Sequence, residues 1–183
     1  MQTFISSCLQ EKSYLLTTPK GYIVIDPGVG IFEQMKPYIK DMSTCVVLLT
    51  HVHFDHAFDA CAFQKHGAKI AVHKLDEKNI FSKANLSFTM GLPFAKFVPD
   101  IFLQEGTIHI AGENVTVVHT PGHTQGSCCF CIQNTWFTGD TLFEDGGCGR
   151  TDFPGGNEED MQRSLKKIKK QIDAGTFYAG HLS

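Results

Sequence analysis

The sequence lacks any long hydrophobic run. Its longest strongly apolar stretch is Cys45-Val46-Val47-Leu48-Leu49, far short of the roughly 18 residues a membrane-spanning helix needs. The first residues, Met1-Gln2-Thr3-Phe4-Ile5-Ser6, contain no basic n-region and no apolar h-region. No secretory leader is expected, and a cytoplasmic location is. An excess of charge is also missing. The 16 Lys and Arg stand against 19 Asp and Glu, a formal net charge of −3, which argues against a general nucleic-acid-binding surface. There is no repeat, low-complexity tract or linker. The seven cysteines are odd in number and scattered, so they read as reduced thiols rather than a disulfide framework. In Cys128-Cys129-x-Cys131 the alternation of a strand lets only Cys129 and Cys131 share a face. No second pair completes a tetrahedral thiolate site.

What is present is one domain's worth of ordinary globular sequence. The chain has 183 residues, 42% hydrophobic and 19% charged, enough to bury a real core, and a single domain over 1–183 is expected. Residues 13–17 and 22–26 flank Thr18-Pro19-Lys20-Gly21 as a hairpin. Residues 31–40 have helical spacing that Pro37 must start or kink. Residues 45–49 form a strand buried on both faces, followed by a helix over 57–65 and a strand over 69–72. The second half repeats the grammar. Hairpins are expected at 107–110 with 114–119 and at 127–132 with 135–138, then a helix over 158–172 and a last strand at 176–178. That helix carries Met161, Leu165, Ile168 and Ile172 on one face. Lys166, Lys167, Lys169 and Lys170 read as its solvated side rather than a nucleic-acid tract. The alternation predicts a layered α/β protein with mixed sheets. Residues 81–99 hold Phe81, Phe88, Met90, Leu92, Phe94 and Phe97 without clear period. A satellite core, a flap and a subunit contact all fit that stretch.

The chemistry concentrates in Thr50-His51-Val52-His53-Phe54-Asp55-His56. Imidazoles and carboxylates are ligands for zinc and other divalent first-row metals. Four such groups on one short loop cannot surround a single ion without strain. They can serve two adjacent ions, with His51 and His53 on one and Asp55 and His56 on the other. Further donors follow other strands: His123 in Thr120-Pro121-Gly122-His123-Thr124, Asp140 in Thr138-Gly139-Asp140-Thr141, and His181 in Tyr178-Ala179-Gly180-His181. Loops at strand ends are where a rigid sheet presents functional groups. His66, His73, His109 and His119 read as ordinary surface or core residues.

This set, His51-x-His53-x-Asp55-His56 with His123, Asp140 and His181, resembles the metallo-β-lactamase superfamily. Within it, Thr120-Pro121-Gly122-His123-Thr124-x-Gly126-Ser127, Gly139-Asp140-Thr141-Leu142-Phe143 and Gly149-Arg150-Thr151-Asp152-Phe153-Pro154-Gly155-Gly156 resemble the compact glyoxalase II, or hydroxyacylglutathione hydrolase, group. The resemblance implies an αββα sandwich of two mixed β-sheets flanked by helices. It implies that His51, His53 and His123 hold one metal, that Asp55, His56 and His181 hold a second, and that Asp140 bridges. Two divalent ions are implied, zinc by default, with iron or manganese as alternatives. The implied reaction is hydrolysis of a small-molecule thioester, an S-(2-hydroxyacyl)glutathione, by a hydroxide bridging the metals. Asp55 would orient the nucleophile or accept its proton.

Larger glyoxalase II enzymes add a C-terminal helical domain that grips glutathione. The sequence stops two residues after His181, so that domain is expected to be absent. Arg150 stands where those enzymes often carry a Lys near the glutathione glycyl end. It either binds a substrate carboxylate or pairs with Asp152 or Glu144. A rival resemblance is to persulfide dioxygenases, through Gly147-Cys148-Gly149-Arg150-Thr151-Asp152-Phe153. That reading implies a single iron on His51, His123 and Asp140. Pro154-Gly155-Gly156 and Gly180-His181 favour the hydrolase. A non-catalytic metal-stabilised binding module is the third reading, and seven polar ligands without a use argue against it. β-Lactam hydrolysis is not expected without a periplasmic address.

Overall fold

Both faces of the central strands are buried, and this dictates the layering. The computed structural model describes residues 1–172 and 176–181. One sheet has the order β1 (Gln2–Ile5), β2 (Lys12–Thr18), β3 (Gly21–Ile25), β4 (Cys45–Leu48), β5 (Lys69–His73), β6 (Ile101–Leu103). Strands β1 to β3 pair antiparallel, and β3 to β6 pair parallel. The other sheet runs β11 (Phe177–Ala179), β10 (Thr135–Gly139), β9 (Cys128–Ile132), β8 (Glu113–His119), β7 (Gly106–Ile110). Its pairs are antiparallel except β10 with β11. Both sheets are therefore mixed, as the resemblance implies.

Alternation along the strands feeds three cores. On β3, Ile23 and Ile25 face the second sheet, where they meet Phe130, Ile132 and Phe137. Val24 faces the other way, into a core with Ile31, Met35 and Phe63 beneath α1 (Ile31–Met35) and α3 (Ala60–Lys65). On the far side, Val118, Cys129 and Trp136 pack under Ile168 of α4 (Glu158–Gln171). The Asn157 side chain caps α4 by accepting from the Asp160 amide at 2.9 Å. Glu158, Glu159 and Asp160 occupy its first turn and Lys169 and Lys170 its last, as the helix dipole favours. The result is the four-layer αββα arrangement. The cysteines are free thiols, and Cys129 is core filling whose Sγ approaches the Thr138 carbonyl at 3.6 Å.

Four local expectations change. α1 stops at Met35, and Lys36–Tyr38 continues as a 3-10 turn around Pro37, which lacks the N–H a helix interior needs. The helix expected at 57–65 is two short ones, α2 (Phe54–Ala57) and α3, so the metal-competent loop winds up earlier than expected. Strands β1 and β6 were invisible in the pattern because β1 is a mostly exposed edge and β6 is three residues long. Residues 81–99 divide: Phe97 is 2% exposed in the helix-side core and Phe94 packs against it, whereas Phe88 is 78% and Met90 52% exposed. Truncating Phe97 to Ala should therefore cost about 3–5 kcal/mol of unfolding free energy. Phe88→Ala should stay within about 0.5 kcal/mol of the parent in the same denaturant titration.

Candidate metal centre

All seven donors lie beyond the C-terminal ends of strands, at the edge where the two sheets meet. His51 follows β4, and His53 precedes α2, whose first turn carries Asp55 and His56. His123 follows β8, Asp140 follows β10, and His181 follows β11. Such crowding requires glycine beside the ligands. A Cβ on Gly180 would stand 2.5 Å from Asp140 Oδ1 and 2.6 Å from His56 Cε1. One on Gly149 would stand 2.6 Å from His123 Nδ1.

The donors form two groups, which a third combination, His51 with His56 and Asp140, links. His51, His53 and His123 make one, with His51 Nε2 3.1 Å from His53 Nδ1. Asp55, His56 and His181 make the other, with His56 Nε2 3.2 Å from His181 Nε2 and Asp55 Oδ2 3.5 Å from His181 Nε2. Asp140 stands between them. Its Oδ2 is 3.4 Å from His123 Nε2, while its Oδ1 is 3.2 Å from His56 Nε2 and 3.5 Å from His181 Nε2. His53 Nε2, His123 Nε2 and Asp140 Oδ1 are buried and make no hydrogen bond. Buried polar atoms are seldom left this way, and cations among these donors would satisfy them. The residues fit a pair of divalent ions.

The outer nitrogens of the imidazoles are held by a second layer. Asp26 is the hub. Its Oδ1 accepts from the Thr50 amide at 2.7 Å, and its Oδ2 accepts from the Thr50 hydroxyl at 2.6 Å and from His56 Nδ1 at 2.9 Å. With its proton given to Asp26, the Thr50 hydroxyl can only accept from His51 Nδ1, 3.1 Å away. His123 Nδ1 donates to the Arg150 carbonyl at 2.7 Å and His181 Nδ1 to the Leu9 carbonyl at 3.2 Å. With these outer contacts in place, four imidazoles would turn an Nε2 lone pair toward a bound cation. Asp26 is held at φ 49, a left-handed conformation unusual for a residue with a Cβ. Its role was missed in the sequence, where its only mark is its place at a strand end before Pro27. Glu11, wholly buried nearby, was missed too. Burial pushes its carboxyl well up, with the Ser13 hydroxyl 3.0 Å away.

Electrostatics ready the groups for cations. Burial, reinforced by neighbouring imidazoles, drives His51 and His53 well below the ordinary imidazole range, which favours their neutral forms. Burial opposes charge on Asp140, but the surrounding His56, His181 and His123 outweigh it and hold the carboxyl well below its usual range. Burial likewise opposes a proton on His56, and Asp140 and Asp55 override it. A cation would displace that proton on binding.

Arg150 is engaged in one of the ways left open. Its guanidinium grips Asp152 in a fork, Nε to Oδ1 at 2.9 Å and Nη2 to Oδ2 at 2.6 Å, and lies 4.4 Å over the Phe153 ring. Glu144 pairs instead with Lys12 at 2.6 Å. His66, His73, His109 and His119 stay outside the cluster; His73 and His119 stack on each other at 4.2 Å. Over the centre opens a cleft of about 300 Å³, floored by His53, Asp55, His123 and Asp140.

The family model for the metallo-beta-lactamase superfamily matches residues 7–181. The chain belongs to this superfamily. It is 36% identical to the hydroxyacylglutathione hydrolase GloC of Haemophilus influenzae, across 97% of this chain and 87% of that protein. The crystal structure of the B3 metallo-beta-lactamase BLEG-1 superposes with a TM-score of 0.87 at 27% identity, covering 100% of this chain and 91% of that one. TTHA1623, crystallised in a di-iron-bound form, gives 0.85 at 27% identity, covering 100% and 93%.

Metal analysis should separate the roles within this superfamily site. Asp140→Ala should lose both metal equivalents together and His181→Ala only one. Asp26→Ala should keep the stoichiometry but weaken affinity about 10- to 100-fold in chelator competition. Full metal content in Asp140→Ala would show that its carboxylate does not join the two groups.

Proposed function

We propose that this metal-dependent hydrolase cleaves a thioester, with an S-(2-hydroxyacyl)glutathione such as the lactoyl adduct as substrate. The carrying observation is the split of Asp140's two oxygens between two donor groups beneath one cleft. The thioester rests on likeness to GloC. Two divalent cations, zinc by default and iron or manganese as alternatives, would supply Lewis acidity and a hydroxide at neutral pH. His51, His53 and His123 would hold the first; Asp55, His56 and His181 would hold the second.

The chain's own groups do the rest. The Asp26–Thr50 network fixes the imidazoles of His51 and His56 so that no reorganisation accompanies the reaction. Asp55, on the cleft floor, orients the attacking water or accepts its proton. The departing thiol has an ordinary pKa near 8.5 and leaves readily as thiolate. The free thiols support a cytoplasmic location; among the described residues no helix is long and apolar enough to cross a membrane.

The single-iron dioxygenase reading uses His51, His123 and Asp140 and leaves Asp55, His56 and His181 without purpose, so the second donor group favours the hydrolase. The β-lactam amide is the other rival bond, given the likeness to BLEG-1. Metal-loaded protein should contain about two equivalents per chain and release thiol from S-lactoylglutathione. Its turnover of a chromogenic cephalosporin should be far slower. One iron per chain with oxygen uptake on glutathione persulfide would overturn the proposal. Arg150→Ala should raise KM for S-lactoylglutathione about tenfold more than for a small neutral thioester. Equal losses on both would make Arg150 a loop-shaping residue alone.

A further inference from the structure

The cleft above the metal centre has walls that catalysis does not require. Leu9, Phe54, Leu86, Met90, Phe143 and Phe153 line it. They come from the β1–β2 turn, the first turn of α2, residues 81–99 and the loop after β10. Phe143 stands edge-on to His181 at 6.2 Å and Phe153 edge-on to His53 at 6.0 Å. The apolar wall therefore reaches the ligands themselves. Arg150, which also lines the cleft, is already paired with Asp152 in two hydrogen bonds.

Two of the aliphatic side chains sit where their backbone is least suited to them. Leu9 has φ 55 and Leu86 φ 69, left-handed conformations that glycine or asparagine adopts more cheaply. Leu9 is also 55% exposed, and Met90 is 52% exposed. The folded chain alone gives Leu9 and Met90 little packing and leaves Leu86 half-buried. Apolar residues held in strained backbone at the lip of a site point to a ligand that completes their burial.

We propose that these walls form an acyl-chain subsite, so that the preferred thioester carries an aliphatic acyl group longer than lactoyl. The inference rests on the thioesterase reading above and deepens it. The cleft of about 300 Å³ lies at the lower end of the range of small-molecule pockets, about 300–1,000 Å³, room for a short aliphatic chain. A chain lying along Leu86, Met90 and Leu9 would place its carbonyl at the floor formed by Asp55 and Asp140. The thiol half would then extend to the open side, where Arg150 lies.

The test uses metal-loaded full-length protein and non-hydrolysable probes, S-methyl-, S-butyl- and S-hexylglutathione, with the same alkyl thioethers of N-acetylcysteamine. Calorimetric affinity should rise roughly three- to fourfold per added methylene with both thiols. The values of kcat/KM for acetyl, butyryl and hexanoyl thioesters should follow the same slope. Leu86→Asn, which keeps a residue suited to the left-handed backbone, combined with Met90→Ser should flatten the dependence. Val98→Asn, an exposed apolar position away from the cleft, should preserve it. Affinity independent of chain length, or a slope unchanged in the Leu86→Asn/Met90→Ser protein, overturns the subsite. If thioesters turn over without any chain-length preference, the subsite fails and the thioesterase reading survives. If the binding slope appears but no thioester is hydrolysed, the subsite stands and the thioesterase reading fails.

Discussion

The carboxylate of Asp140 is the constraint on which the site depends. It is buried among imidazoles from both sheets, with one oxygen toward His123 and the other toward His56 and His181. A charge removed from water in this way is costly unless opposite charge surrounds it. In the chain alone the neighbouring imidazoles favour that charge; cations would favour it more, because they would also satisfy the polar atoms that lack hydrogen bonds. The sandwich serves this requirement. The turn after β4 and α2 carry donors from one sheet, and the loops after β8, β10 and β11 carry them from the other. Closing the inter-sheet core through Ile23, Ile25, Phe130 and Phe137 is therefore also what assembles the centre.

The second layer explains how so many flexible side chains are held without a large ordering cost at the moment of binding. Asp26 ties His56 directly and His51 through Thr50, so one carboxylate orients an imidazole in each donor group. Arg150 and Leu9 act on His123 and His181 through their backbone carbonyls rather than their side chains. A substitution at either position leaves that acceptor in place, so the support of His123 and His181 does not depend on either side chain.

Much of this was legible in the sequence because metal chemistry leaves dense local marks. Four donors within His51–His56, and single donors each beside a glycine at a strand end, expressed both the donor cluster and its strand-end placement. The strands with two buried faces were equally readable, since continuous apolar runs have few alternatives. What escaped was whatever depends on tertiary contact. Asp26 and Glu11 are single acidic residues whose meaning comes from partners up to 30 positions away or more in the chain, such as His56. β1 and β6 are strands only because neighbours pair with them. In residues 81–99, Phe97 and Phe88 look alike in sequence, yet one fills a core and the other faces solvent. The two positive-φ leucines carried no signal, because leucine is not a residue that advertises a left-handed turn.

The most direct measurement is an anomalous-scattering crystal structure of the zinc-loaded protein. The account predicts two peaks of comparable height, roughly 3.5–4 Å apart, one among His51, His53 and His123 and the other among Asp55, His56 and His181, with one Asp140 oxygen on each. A single peak held by His51, His123 and Asp140, with Asp55, His56 and His181 free of metal at saturating zinc, would contradict it.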